Sequence, residues 1–126
     1  MISNTSLERS TYWQAHFPDV FRLFGQHTLF SHFSPYLRKH EGLKEMLRLM
    51  SVQMNLPVEN MIYVDDKRLN AESAVDAGVG GSIHLTTAAQ LPLANDPELT
   101  LPYSKIVVAT YDTFENALRE SFGLRF

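Results

Sequence analysis

Apolar positions along the chain switch between a helical and a strand period, and the switches mark out the elements. Met1 and Ile2 read as the tail of a strand that stops at Ser3-Asn4-Thr5. A helix is expected from about Leu7 to His16. Phe17-Pro18-Asp19 breaks it, and Val20 to Phe24 supplies a helical turn before Gly25. Thr28-Leu29-Phe30-Ser31 alternates, which predicts a short strand, and Ser34-Pro35 is a turn signal. Gly42 to Asn55 is the clearest helix: Leu43, Met46, Leu47, Met50 and Met54 fall on one stripe, the pattern of a core-facing helix. Met61-Ile62-Tyr63-Val64 is a short, nearly all-apolar run of the kind found in strands buried on both faces. Asn70 to Asp76 is an alanine-rich helix closed by Gly78, and Ser82-Ile83-His84-Leu85 is another strand. Residues 86–102 hold three prolines and read as a surface loop. Lys105 to Thr110 is a last strand. A final helix, capped by Asp112 or Thr113, carries Phe114, Ala117, Leu118 and Phe122 and ends at Gly123. Strand and helix alternate, which is the βαβ signature of an α/β fold with a parallel sheet.

Composition narrows the function classes. The 126 residues suffice for one compact domain with a modest core. The net charge is -3, with no basic stripe, so nothing points to a nucleic-acid partner. There is no cysteine, which excludes disulfides and thiolate-bound zinc and fits a reducing, cytoplasmic setting. No apolar run approaches the roughly 20 residues that span a bilayer, and the polar first residues do not resemble a signal peptide. A soluble protein without a membrane partner is expected. The five histidines (His16, His27, His32, His40 and His84) show no paired ligand spacing and read as structural or exposed.

Asp65-Asp66, at the carboxyl end of the Met61–Val64 strand, carries the chemistry. Ligands of open α/β sheets bind at that end of the strands. Adjacent carboxylates repel, and a hard cation such as Mg²⁺ between them relieves the repulsion. On spacing alone a solvated turn, or a helix cap made by Asp66, accounts for the pair somewhat better than a metal does.

The wider string, Tyr63-Val-Asp-Asp-Lys-Arg-Leu-Asn70-Ala-Glu-Ser-Ala-Val-Asp-Ala-Gly78 followed by the strand at Ser82, closely resembles motif IV of the haloacid-dehalogenase-like hydrolases. Ile2-Ser3-Asn4-Thr5 is similar to that family's motif II, and Lys39 to its motif III, although His40-Glu41-Gly42 follows in place of the usual Pro-Asp-Pro-like turn. Arg38 is the neighbouring alternative for the motif III position. The resemblance covers residues 2–85, and 105–123 resemble a closing strand and helix. It implies a three-layer Rossmannoid core with helices on both faces of a parallel sheet. It also implies phosphatase-like, Mg²⁺-dependent phosphoryl transfer on a small phosphorylated metabolite. Asp65 and Asp66 would hold the metal, supported by Asn70. Ser3, Asn4 and Lys39 would hold the phosphate, with Ser3 and Lys39 serving catalysis.

One departure matters. The family's nucleophile is the first Asp of an Asp-x-Asp motif that precedes motif II, and it attacks phosphorus covalently. No Asp-x-Asp occurs in this sequence, and no cap insertion is visible. In a circularly permuted reading the nucleophile position would fall on Thr110, two before Asp112, which is the wrong chemistry; an ordinary last strand is expected there instead. In the family the motif I strand lies between those of motifs II and IV, so its loss would leave two strand edges unpaired. The expectation is therefore a hydrolase fragment or remnant, inactive alone. Three outcomes are open for the exposed edges: the strands close up within the chain, a second copy or another polypeptide supplies the missing strand, or the chain is a fragment whose full form carries it. The alternative is a non-catalytic binding or oligomerisation module that kept the fold. A receiver-like phosphoacceptor domain fits poorly, because its acid pair would not follow the lysine.

Overall fold

The computed structural model describes residues 2–3, 7–19, 22, 29–30, 39–95 and 105–125. The chain forms two compact units, Met1–Leu56 and Pro57–Phe126.

In the first unit, β1 (Ile2–Ser3) pairs in parallel with β2 (Leu29–Phe30), with Ile2 opposite Leu29 and Ser3 opposite Phe30. Helix α1 (Leu7–His16) leaves Leu7 and Tyr12 exposed and buries Ser10, whose hydroxyl donates to the Leu7 carbonyl at 3.0 Å. Helix α2 (Lys39–Met54) starts three residues earlier than the apolar stripe suggested. Leu43, Met46, Leu47 and Met50 are buried at the i, i+3, i+4, i+7 spacing of one helix face. Lys44, Glu45, Arg48 and Leu49 point to solvent. Met54 does not continue the stripe: it lies in the last turn and is 44% exposed. Asn55 then ends the helix at φ 50°, the left-handed cap conformation that Asn tolerates. The Ser51 hydroxyl secures the exit by donating to the Leu56 carbonyl at 2.7 Å.

The second unit is α/β, built on a three-stranded parallel sheet in the order β3 (Ile62–Asp65), β4 (Gly81–Thr86), β5 (Ile106–Thr110). A short 3₁₀ turn at Val58–Asn60 leads into β3. Parallel neighbours need a crossover, and α3 (Arg68–Asp76) makes the first one, packing on β3 and β4. Ala71 and Ala74 are its fully buried contact face; their small size lets the helix lie close to Ile83 and Val79, which are also fully buried. Gly78 leaves the helix at φ +99°, a conformation open to glycine. The next two glycines are forced by contact. A Cβ on Gly80 would overlap the Glu59 carbonyl oxygen, and one on Gly81 would overlap the Phe122 ring.

The expected loop over 86–102 is partly ordered otherwise. Thr86 still belongs to β4, and Leu91–Ala94 forms a short helix, α4, with a proline in its first turn, where the missing N–H has no cost. Helix α5 (Phe114–Phe122) packs on β4 and β5. Thr113 occupies its cap position without capping: its hydroxyl instead accepts the Thr110 N–H at 3.0 Å and closes the turn after β5. Gly123, at φ +66°, ends the helix as expected. Among the described residues no helix is long and apolar enough to cross a membrane.

Candidate functional site

All three strands of the second unit run the same way, so their carboxyl ends, at Asp65, Thr86 and Thr110, share one edge of the sheet. In register, Asp65 stands opposite His84, and Thr86 opposite Thr110.

The two acids at the end of β3 have different environments. Asp65 is 6% exposed and is an anchor. Its Oδ1 accepts the Lys67 backbone N–H at 2.9 Å and the Asn70 side-chain amide at 3.1 Å, while Oδ2 accepts the Tyr63 hydroxyl at 2.8 Å. Tyr63 and Asp65 are two apart on a strand, so both side chains leave the same face of the pleat. Asn70, itself buried, comes from the first turn of α3 and ties that helix to the strand tip. Burial pushes the Tyr63 phenol well above its ordinary range, and the charges of Asp65 and Asp66 push the same way, so Tyr63 stays a donor. Asp66 lies at a bend just past the strand and is exposed. It is not the cap of α3: that position belongs to Lys67, which makes no side-chain cap bond.

His84 adds a link that its spacing in the sequence does not reveal. Its Nε2 lies 3.2 Å from the Asp66 carbonyl oxygen. A carbonyl can only accept, so Nε2 carries the proton. Burial is the main influence holding the His84 pKa below its ordinary value. The Asp66 carbonyl contact opposes this, the Arg68 charge reinforces it, and Asp65 and Asp66 oppose it. The ring therefore resists protonation more than a free imidazole does, and among the described residues its buried Nδ1 has no hydrogen-bond partner. Arg68, at the start of α3, donates Nε–H to Glu72 at 3.0 Å, with both side chains largely shielded (17% and 24% exposed).

Of the residues expected to form a site, Asp65 and Asn70 are in direct contact and Asp66 is adjacent. Ser3 lies in β1, and Lys39 is the first residue of α2, which packs on β1 in the first unit. The side chains of Ser3 and Lys39, and all of Asn4 and Arg38, lie outside the described residues. So do His27, His32 and the side chain of His40, whereas His16 stacks on Tyr12 within α1 at 3.9 Å between ring centroids. Among the described residues, no three His, Asp or Glu side chains gather as a metal cage. At the end of β3, the carboxylates that could approach a cation are those of Asp65 and Asp66. Asp66 presents an exposed carboxylate, whereas a cation at Asp65 Oδ2 would share that oxygen with the Tyr63 hydroxyl. Searches against family models, curated proteins and solved structures find no match for this chain.

Proposed function

We propose that this chain is part of a haloacid-dehalogenase-like phosphohydrolase core that retains the cation half of the site. Asp66 is the direct Mg²⁺ ligand, and Asp65 is the buried anchor that positions it with Asn70. When bound, Mg²⁺ would neutralise phosphoryl charge at the sheet edge. In the first unit, Ser3, Asn4 and Lys39 are the phosphate-binding counterparts, with a small phosphorylated metabolite as substrate and a cytoplasmic setting.

The observation that carries this reading is the second unit's order. An acid pair follows β3, an edge strand of the parallel sheet among the described residues, an Asn one helical turn later clamps the first acid, and a glycine follows the crossover helix. Phosphoryl transfer by the family route needs an Asp-x-Asp that these 126 residues do not contain, so turnover by the chain alone is at background. Aryl-phosphate hydrolysis with and without Mg²⁺ tests this. Rapid Mg²⁺-dependent hydrolysis abolished by Asp66→Ala would show a complete site and overturn the incomplete-core reading.

The other reading is a non-catalytic module that binds a further strand. It rests on β3, which among the described residues pairs only with β4 and so presents an open edge. Sedimentation distinguishes the two: a stable dimer whose association is lost on proline substitution in β3 favours the module, and a monomer that binds Mg²⁺ favours the hydrolase core.

A further inference from the structure

A cavity of about 250 Å³ opens at the carboxyl end of β4, lined by Arg68, His84, Thr86, Gln90, Leu93 and Ala94. At a liquid-water share of about 30 Å³ per molecule, it has room for a ligand of about eight non-hydrogen atoms. Its wall has three kinds of chemistry. Arg68 is the one charged side chain of the six. Thr86 and Gln90 bring a hydroxyl and an amide that can donate. Leu93 and Ala94 make an apolar side, and Leu93 is 68% exposed at its rim.

The guanidinium is held in place rather than left to swing. Its Nε–H is engaged by Glu72, and both partners are largely buried. A cation fixed in this way brings its charge to the cavity wall at little further ordering cost when an anion binds. The apolar side then selects against a bare inorganic anion, which would leave Leu93 and Ala94 in water.

We propose that this cavity binds a small monocarboxylate carrying a short hydrocarbon chain, with Arg68 as its charge partner and Leu93 and Ala94 against the chain. The proposal does not depend on the metal reading.

The test uses the whole chain at fixed ionic strength, with acetate, butanoate, pentanoate and hexanoate as probes. Binding is read from the His84 and Thr86 resonances. The dissociation constant is expected to fall about threefold to fourfold with each added methylene up to hexanoate, as burial of one CH₂ predicts. Hexanamide, isosteric but uncharged, is expected to bind at least tenfold more weakly, and Arg68→Gln to weaken hexanoate by a similar factor. Glu72→Gln keeps an acceptor for Arg68 while removing the competing charge, and should tighten hexanoate several-fold. Leu93→Ser lies on the surface and should flatten the chain-length series without unfolding the protein. Hexanamide binding as well as hexanoate, or a flat series in the unsubstituted chain, overturns the proposal. Should Arg68→Gln fail to fold, the Glu72→Gln and hexanamide results still decide it: an unchanged affinity in both rejects a carboxylate site.

Discussion

Replacing Asp65 and Asp66 one at a time by alanine separates their roles. Asp65→Ala strips the acceptor from three donors at once: the Tyr63 hydroxyl, the Lys67 N–H and the Asn70 amide. Hydrogen bonds to a charged group contribute about 1.5–3 kcal/mol each, and an orphaned buried donor costs about 1–3 kcal/mol. The three bonds share one carboxylate and are not additive, and removing the buried charge returns part of its desolvation cost. A net loss of about 3 kcal/mol follows. Asp66 is exposed, so its loss should move stability by no more than about 0.5 kcal/mol. Urea unfolding followed by far-ultraviolet circular dichroism measures both. With a slope of about 1.5 kcal/mol per molar urea, Asp65→Ala shifts the midpoint by about 2 M and Asp66→Ala by under about 0.4 M. Equal shifts for the two variants, or a midpoint for Asp65→Ala within about 0.3 M of the parent, would refute the division into anchor and open ligand.

Other outcomes follow from the same contacts. Gly80→Ala should cost more than Gly81→Ala, on the order of 2–3 kcal/mol against about 1 kcal/mol, because the first meets the Glu59 backbone and the second a ring that can tilt; thermal denaturation of the two variants side by side checks the order. Ser82 is fully buried with a hydroxyl that has no hydrogen-bond partner among the described residues, so Ser82→Ala should leave the melting temperature unchanged or raise it. His84 resists protonation in the fold, and the unfolded chain takes up the proton first as pH falls through about 6.5. Stability should therefore drop below that pH and be unaffected by this group above it. His84→Gln should flatten the profile between pH 7 and 5, and an unchanged slope in that variant would contradict the assigned cause.

β3 and β5 were legible as short apolar runs between turn residues, and β4 as Ile83 and Leu85 alternating with polar side chains. The stripe on α2 was legible because period 3.6 survives for two full turns. What escaped depends on geometry that periodicity does not carry. Met54 continues the spacing of the stripe, but the helix ends beneath it. Helix α4 is a single proline-bearing turn that buries no residue, too short for a 3.6-residue period to show. Within the site, the acid pair and Asn70 were visible as a string. Their separate roles were not, since adjacent carboxylates look alike until one is buried. The Tyr63–Asp65 bond had a usable signal, two polar atoms at strand spacing on one face. His84 had none: its place beside Asp66 follows from the register between β3 and β4, which sequence spacing alone leaves open.

The most direct test of the cation half-site is titration of the chain with Mn²⁺, a paramagnetic stand-in for Mg²⁺, followed by amide line broadening. The account predicts that the Asp66 and Lys67 amides broaden first, that excess Mg²⁺ reverses the effect, and that Asp66→Asn abolishes it while leaving the fold intact. Broadening that begins instead at scattered surface acids such as Glu45 and Glu115, or that persists unchanged in Asp66→Asn, would contradict it.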